Sequence, residues 1–403
     1  METSLVQGGL KARPEAFATP EDQDADLSRV RAPAYGRWLE ECVPGRVFRH
    51  PRGITLTKDL MLEWATTFME ANPVFLNEQA ACQAGYTSLP AAPHLVMNLV
   101  LSMGVQNNSE KAIANLGYYD VRFLRPVYAG DTLTALSRVK DRRDRGPGKP
   151  GIITVDTLGL NQAGLVVISY SRKILIPREG DGPIDPDATA TAEVDFPQPE
   201  SIELHIPAPR FNEARSDRLL SSDQTMLQDF QDGEIIIHPN GRTITDEHIP
   251  WTYRTLNTHP LHYDRLYSAG REGPMSGEPV VYGGLVFAWL LGLASRECSD
   301  NALWEMGFHE GYHTQPSFSG DTVYALTRIR RVEAPFPVQG QDRSRAGVVH
   351  MQLIGLKNLH GREALERYGS ELFRTENLKK ARGQEKIPEK IFEIERQVLL
   401  RAR

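Results

Sequence analysis

Cysteines are few in this chain of 403 residues, and long apolar runs and an excess of positive charge are missing. The three cysteines, Cys42, Cys82 and Cys298, are far apart and form no CxxC pair, which argues against a disulfide framework and a structural zinc site. No segment has the roughly 18 uninterrupted apolar residues that a membrane helix needs, and no apolar secretory signal opens the chain. The sequence therefore predicts a protein of the reducing cytoplasm with no membrane span.

The charge balance is mildly acidic. Lys and Arg number 46 against 52 Asp and Glu, for a formal net charge of -6. Such a chain has no general electrostatic attraction to nucleic acid or anionic lipid, so we expect neither as a partner. At roughly 100–200 residues per domain, the length predicts two to three domains.

Two stretches poor in large apolar residues divide the chain. Residues 1–33, rich in Pro, Asp, Glu and Gly, are predicted to form a flexible N-terminal extension. Residues 178–220 are predicted to be a linker. One domain then covers residues 34–177 and a second covers 221–380. We predict that the remaining tail, 381–403, is helical.

The two domains share sequence motifs in the same order. The frame H-P-x-G-x-T-x-T begins at His50 and again at His238, 188 positions later. The segment PVYAGDTLTALSRV begins at Pro126, and PSFSGDTVYALTRI begins at Pro316, 190 positions later. Ordered matches at a nearly constant offset predict a duplicated domain. Since both copies carry the HPxG frame, we interpret its histidines as structural.

Each copy contains one helix that is apolar nearly all round. These helices are HLVMNLVLSMGV at 94–105 and GGLVFAWLLGLA at 283–294, and such helices must be buried. Three or four strands rich in β-branched residues follow each of them. The sequence therefore predicts an α+β fold in which each copy wraps an antiparallel sheet around a central helix. Edge-to-edge pairing of the two sheets would hide their edge strands.

The densest cluster of polar side chains is RTLNTHPLHYDR at 254–265, shortly before the second buried helix. Its segment N-T-H-P-L-H at 257–262 resembles the D-x-N-P-x-H signature of the MaoC-like hydratases and dehydratases. The resemblance implies a double hotdog fold. In that family the Asp and the His activate a water for addition across an enoyl-thioester double bond. A backbone N–H at the start of the central helix polarises the thioester carbonyl.

The two copies depart from the signature to different extents. In the second copy the terminal His is present, but Asn257 stands where the family has Asp, and His259 stands where it has Asn. In the first copy, Glu70 and Phe75 replace the Asp and the His. The resemblance therefore implies a catalytic second half and a degenerate first half.

Further segments narrow the resemblance to one branch of the family. AIANLGY, RPVYAGDTL, VVYGG and YHTQPSFSGDT resemble the mesaconyl-CoA hydratases, also called β-methylmalyl-CoA dehydratases, over about residues 36–378. This resemblance implies reversible hydration of a 2-enoyl-CoA thioester, with mesaconyl-CoA as the expected substrate. It implies no cofactor beyond the CoA of the substrate. A duplicated hotdog pair can stand alone or form a homodimer.

The resemblance also assigns roles to residues of the second copy. His262 would remove a proton from the attacking water, and Asn257 would orient that water. His259 would act either as a proton relay or as a cap of the loop. The backbone N–H groups of Gly283 and Gly284, at the start of the buried helix, would stabilise an enolate-like thioester oxygen.

A substrate with two carboxyl groups needs a partner for its second carboxylate. Arginine suits this task because its planar fork binds a carboxylate with two hydrogen bonds. We predict Arg254, one helical turn before Asn257, with Arg122 and His313 as alternatives. No H-E-x-x-H or comparable spacing occurs near 305–313, so no metal site is predicted.

Three other functions fit parts of the same pattern. The chain could be a MaoC-like dehydratase acting on another acyl thioester of secondary or fatty-acid metabolism. It could also be a hotdog thioesterase. The amide at Asn257, where the family has a carboxylate, favours a third alternative, a non-catalytic acyl-CoA-binding protein.

Overall fold

The computed structural model describes residues 25–191, 194–207, 220–222, 224–273, 275–338 and 345–403. Both copies lie in one compact unit, Tyr35–Arg403. Most of the predicted N-terminal extension, residues 1–24, lies outside the described residues. None of the described helices has the length and apolar character needed to cross a membrane.

The described helices follow the predicted plan in both copies. In the first copy they are α1 (Lys58–Thr67), α2 (Glu78–Gln83) and α3 (Pro93–Met103). In the second copy they are α4 (Trp251–Arg254), α5 (Arg265–Ala269), α6 (Gly283–Cys298), α7 (Gly361–Tyr368) and α8 (Glu376–Ala381).

Twelve described strands form one sheet. Those of the first copy are β1 (Val47–Arg49), β2 (Ile54–Thr55), β3 (Ala114–Phe123), β4 (Thr132–Arg143), β5 (Gly151–Leu160) and β6 (Val166–Ile176). Those of the second copy are β7 (Ile235–Thr243), β8 (Ala302–His313), β9 (Thr322–Val332), β10 (Phe336–Pro337), β11 (Arg345–Lys357) and β12 (Lys390–Ala402).

The strand order shows the duplication directly. It runs β1-β4-β5-β6-β3-β8-β12-β11-β9-β7, with β2 attached to β4 and β10 to β11. Read outward from its centre, the order is the same in the two copies. The copies meet where β3 pairs antiparallel with β8, with Tyr118 opposite Gly311 and Arg122 opposite Gly307. The predicted edge-to-edge pairing is therefore confirmed, and it covers one edge strand of each copy.

The two central helices, α3 and α6, are buried and pack against each other. The side-chain nitrogen of Asn98 donates to the carbonyl of Gly284, at 3.1 Å. A Cβ atom on Gly284 would lie 1.8 Å from Oδ1 of Asn98, so glycine permits this close approach of the helices. The prediction that both apolar helices are buried is confirmed.

The HPxG histidines occupy equivalent positions in the two copies. Nε2 of His50 lies 2.7 Å from Oγ of Ser137 on β4. Nε2 of His238 lies 2.8 Å from Oγ1 of Thr327 on β9. Both rings are buried and join the start of their copy to its second long strand, which fits the predicted structural role.

The predicted helical tail is wrong, because β12 is a central strand of the second copy. It pairs with β8 on one side and with β11 on the other. From Ile394 onward alternate residues are buried, among them Val398 and Leu400, which is the period of a strand. Residues 358–389, with α7 and α8, separate β11 from β12, whereas β5 and β6 are joined by a short turn. This insertion moves the strand beyond the end of the repeat visible in the sequence.

The described part of the predicted linker packs on the first copy. Phe196 is buried in a cluster with Leu124 and Leu158. The guanidinium of Arg122 donates to the backbone carbonyls of Pro199 and Ile202, at 2.6 and 2.9 Å. Arg122 therefore holds this segment and does not line the cavity described below, contrary to the prediction that it binds substrate. Residues 208–219 of the linker lie outside the described residues.

Candidate active site

The turn after α4 brings the predicted catalytic segment into the interior. Leu256 has a positive φ of 71°, which reverses the chain immediately before Asn257. The side chain of Asn257 is buried, and its Oδ1 accepts a hydrogen bond from the backbone N–H of His259 at 2.9 Å. An N–H can only donate, so the oxygen of the carboxamide must face it. The NH₂ group of Asn257 is left for the cavity, which this residue lines.

His262 is held as a neutral imidazole. Its Nδ1 lies 2.9 Å from the carbonyl oxygen of Val280, and because a carbonyl only accepts, Nδ1 carries the proton. Nε2 therefore keeps its lone pair. Burial lowers the pKa of His262 to about 4, although the hydrogen bond with Val280 acts in the opposite direction. The ring packs against Tyr282, with centroids 5.3 Å apart.

His259 begins the short 3₁₀ turn Pro260–His262 and caps it. Its Nδ1 accepts the backbone N–H of Leu261 at 3.2 Å. Burial, and then the neighbouring His262, lower the pKa of His259 to about 3. The two imidazole centroids lie 5.7 Å apart, and no hydrogen bond joins these two rings in the described part of the chain. Of the two predicted alternatives, the geometry favours the cap.

The N-terminus of α6 lines the same cavity as these histidines. α6 begins at Gly283, and the first N–H groups of a helix have no intrahelical acceptor. A Cβ atom on Gly283 would lie 2.7 Å from the ring of His313, so glycine permits this close approach of the helix start to that ring. Gly283 lines the cavity, whereas Gly284 faces α3 and is not among the lining residues.

These groups line a cavity of about 410 Å³ between the two copies. The second copy contributes Asn257, His259, His262, Tyr282, Gly283 and His313, and the first copy contributes Ser109, Asn115, Tyr118 and Arg172. Lys386, from the insertion between β11 and β12, is exposed and also lines the cavity. Each copy thus supplies part of one site.

His313 lines the cavity, and its predicted role in binding the substrate stays a prediction. It ends β8, and its Nε2 lies 3.4 Å from the hydroxyl oxygen of Tyr118 on β3. Burial lowers the pKa of His313 to about 4, with a further contribution from His262. The ring is therefore neutral and packs between Gly283 and Tyr118.

Arg254 does not reach the cavity. Its guanidinium forms two hydrogen bonds with the carboxylate of Glu63, at 2.6 and 2.5 Å, and lies 3.9 Å from the ring centroid of Trp251. About 42% of its side chain is exposed. The helical spacing between Arg254 and Asn257 is lost because α4 ends between them, at the positive φ of Leu256. The prediction that Arg254 binds substrate is wrong.

Sequence reasoning missed the polar residues that the first copy contributes. Arg172 lies on β6, at a buried position that alternates with the buried hydrophobic residues Tyr170 and Ile174. That pattern was the available signal, because charged residues rarely face a core without a partner. No local spacing indicated that β6 of one copy would line the site of the other.

The corresponding place in the first copy is nearly filled. Its cavity measures about 20 Å³. Phe75 stands where the second copy has His262, and Pro93, which has no N–H, starts α3 where Gly283 starts α6. Glu70 pairs with the ring of His94 at 3.3 Å instead of facing open space. A histidine at the position of His262, an N–H on the first helical residue and room for an acyl group are all lacking at this place.

Comparisons with known proteins agree with the double hotdog architecture. The mesaconyl-CoA hydratase family model matches residues 16–360. The β-methylmalyl-CoA dehydratase of Chloroflexus aurantiacus is 31% identical over 297 residues, which cover 73% of this chain and 82% of that protein. The mesaconyl-CoA hydratase of Cereibacter sphaeroides is 27% identical over 336 residues, which cover 81% and 91%.

Solved structures show the same fold. A MaoC domain protein dehydratase of Chloroflexus aurantiacus superposes with a TM-score of 0.74 at 27% identity, over 91% of this chain and 98% of that chain. A Mycobacterium tuberculosis protein with a double hotdog fold has a TM-score of 0.64 at 18% identity, again over 91% and 98%. The second likeness concerns the fold alone.

Proposed function

The chain belongs to the mesaconyl-CoA hydratase family, and we propose that it adds water reversibly to mesaconyl-CoA to give β-methylmalyl-CoA. The observation that carries this proposal is the position of His262. Its Nε2 keeps a lone pair in a cavity that also contains the N-terminus of α6. A base and an oxyanion-binding N–H in one cavity are what hydration of an enoyl thioester requires.

His262 acts as the base in the proposed hydration. Nε2 removes a proton from water while the oxygen of that water forms a bond to the β-carbon of the enoyl group. The electron pair of the double bond moves through the α-carbon to the thioester oxygen. The imidazolium then returns its proton to the α-carbon, so the reaction consumes one water and no other reagent.

The N-terminus of α6 stabilises the charge that develops on the thioester oxygen. The N–H of Gly283 donates to this oxygen, and the helix dipole adds partial positive charge at the same end. Asn257 cannot take up a proton, so its NH₂ group holds the attacking water by donating to its oxygen. His259 keeps the turn in place through its bond with Leu261.

The remaining properties of the proposed enzyme follow from this chemistry. The reaction needs no cofactor, because CoA arrives as part of the substrate and His262 carries the proton. We expect the enzyme to work in the cytoplasm. We also expect it to be active either as a single chain or as a homodimer, since one chain supplies both sides of its cavity.

Mass spectrometry tests the proposal directly. The full chain is incubated with mesaconyl-CoA, and a gain of about 18 Da, the mass of water, is expected in the thioester. Thiol release is followed in parallel with a thiol reagent. A product with unchanged thioester and added water supports hydration. Free CoA with no hydrated product would instead indicate a thioesterase, and binding without either product would indicate an acyl-CoA-binding protein.

A further inference from the structure

Arg172 is a buried cation without a counter-ion. It lines the cavity, and only 6% of the residue is exposed. Its Nη2 donates to Oγ of Ser109 at 3.2 Å, and its Nε is buried without a hydrogen-bond partner. Among the described residues, no carboxylate forms an ion pair with it. An arginine in this position destabilises the folded protein unless an anion neutralises it.

The second copy has an arginine, Arg396, at the position equivalent to Arg172. On the paired strands β3 and β6, Arg172 lies opposite Tyr118. On the equivalent strands β8 and β12, Arg396 lies opposite Phe308. The sheet register therefore makes Arg172 and Arg396 equivalent positions in the two copies.

Arg396 has the counter-ion that Arg172 lacks. Its Nε donates to Oε1 of Glu305 at 3.3 Å, and its Nη2 donates to Oε2 of the same carboxylate. Glu305 lies three residues before Phe308, and the residue three before Tyr118 is Asn115. Both strands have a register shift in this interval. The carboxylate of one half is thus replaced by a neutral amide in the other.

We propose that Arg172 binds the free carboxylate of the acyl group, in the place that the carboxylate of Glu305 takes beside Arg396. This inference rests on the proposed function, which supplies a thioester with a second carboxylate. In mesaconyl-CoA that carboxylate is attached to the β-carbon, the atom that receives the water. Arg172 then neutralises a negative charge next to the carbon that is attacked. It also fixes the position of the acyl group in the cavity.

The position of Arg172 within the site agrees with an acyl carboxylate. Tyr118 pairs with Arg172 across the sheet, and the hydroxyl of Tyr118 lies 3.4 Å from His313, whose ring contacts the start of α6 at Gly283. This chain of neighbours connects Arg172 to the proposed thioester site. The phosphates of CoA are strongly hydrated, and Lys386, an exposed cavity residue, is the better placed cation for them.

Two thioesters that differ only at this carboxylate test the inference. Mesaconyl-CoA carries the carboxylate, and tiglyl-CoA carries a methyl group in its place. For Arg172→Met, we expect kcat/KM on mesaconyl-CoA to fall about 100-fold or more, with little change on tiglyl-CoA. Arg172→Lys should recover part of the loss, because it restores the charge without the fork.

Asn115→Glu is the second variant, since it copies the pair of Glu305 and Arg396 into the large cavity that contains His262. A glutamate at this position should occupy Arg172, reduce the activity on mesaconyl-CoA and spare tiglyl-CoA. Arg396→Met is the matched control at the small cavity beside α3. It should lower the melting temperature, because it leaves Glu305 unpaired, but keep the ratio of the two kcat/KM values. Arg172→Met should instead raise the melting temperature of the unliganded protein.

Binding measurements separate this inference from the proposed function. Calorimetric titration of wild type and Arg172→Met with both thioesters, in the His262→Ala background, reports affinity without turnover. Preferential binding of mesaconyl-CoA that disappears in Arg172→Met supports the inference, even if the wild type hydrates neither compound and the proposed function fails. Equal weakening for both thioesters would assign Arg172 to the CoA portion, and no weakening for either would show that it binds no part of the ligand. Both results overturn the inference.

Discussion

The two copies share one fold but keep different amounts of open space at equivalent places. The second copy has a cavity of about 410 Å³ next to α6, whereas the first has about 20 Å³ next to α3. The two places also differ in chemistry at three equivalent positions. Beside α3 the residues are Phe75, Pro93 and Glu305, and beside α6 they are His262, Gly283 and Asn115. The comparison teaches that a cavity can be filled while the strand order of the sheet stays the same. The polar replacement, Glu305, is paired with Arg396.

The largest effect is expected from removing the base that the first copy lacks. His262→Ala should lower kcat/KM for mesaconyl-CoA by about 10²–10⁴-fold, because it removes the imidazole that takes the proton of the water in the proposed reaction. Phe75→Ala, at the equivalent position, is the control and should leave activity per folded molecule unchanged. Steady-state kinetics and a melting curve measure both. Activity above a tenth of wild type in His262→Ala would show that His262 is not the base.

The helix N-terminus is expected to contribute somewhat less. Gly283→Pro gives the second copy the residue that starts α3, and it removes one N–H. Losing one oxyanion donor costs about 10²–10³-fold in kcat. The backbone of Tyr282, at φ -57° and ψ 124°, already suits a residue before proline.

Gly283→Ala is the control for this substitution, since it keeps the N–H but adds a Cβ atom near His313. The difference in kcat between the two variants measures the N–H itself. If both variants lose the same activity, the loss comes from crowding of His313, and the donor makes no contribution.

The buried pair of Arg396 and Glu305, two residues of the second copy that line the small cavity beside α3, is expected to matter for stability alone. Both side chains are nearly inaccessible, with 4% of Arg396 and 9% of Glu305 exposed. Glu305→Gln leaves a buried charge without its partner, which typically costs about 3–5 kcal/mol of unfolding free energy. Urea unfolding measures this loss, and kcat/KM of the folded fraction should not change. A changed kcat/KM would mean that the small cavity beside α3 is coupled to the large cavity that contains His262.

The pH dependence should show the smallest effect over the ordinary range. Burial lowers the pKa of His262 from 6.5 to about 4, so the protonated and inactive form accumulates only at acidic pH. We expect kcat/KM to stay level from pH 8 down to about pH 5 and to fall below that value. An imidazole of ordinary pKa, about 6.5, would already have lost most of its activity at pH 5. A decline centred near pH 6.5 would contradict the buried environment of His262.

The same shift predicts how stability depends on pH. In the folded state the pKa of His262 is lowered, so below pH 6.5 the unfolded chain binds more protons than the folded chain. The contribution of His262 to the free energy of unfolding is therefore fully present above pH 6.5 and is lost as the pH falls towards 4. His313, whose pKa is lowered to about 4 by burial, acts in the same direction.

Local sequence patterns predicted the parts of the molecule that local physics determines. The apolar residues of α3 and α6 occur on all sides of each helix, so burial followed directly. The segment 257–262 was found because the residues of its turn are adjacent in the chain. Arg254 was misplaced because the positive φ of Leu256, at a residue type that seldom adopts it, has no signature in the sequence.

The strand at Lys390–Ala402 and the cavity residues supplied by the first copy depend on contacts between distant segments. Lys390–Ala402 contains charged residues that suit a helix, and only its place between β8 and β11 makes it a strand. Arg172 belongs to the cavity because β3 pairs with β8, a contact between the two copies. Neither fact can be obtained from a window of neighbouring residues.

The junction of β3 and β8 limits what either copy can do alone. If the second copy were separated and assembled with itself, its own β8 and β12 would replace β3 and β6 at each cavity. Each of the two new sites would then receive Glu305 and Arg396 instead of Asn115 and Arg172. Such a symmetric assembly would contain two catalytic histidines, yet Arg396 at each site would already be paired with Glu305. Duplication therefore gave this molecule something that a symmetric pair cannot have: an arginine and its glutamate at one site, and an arginine kept without one at the other.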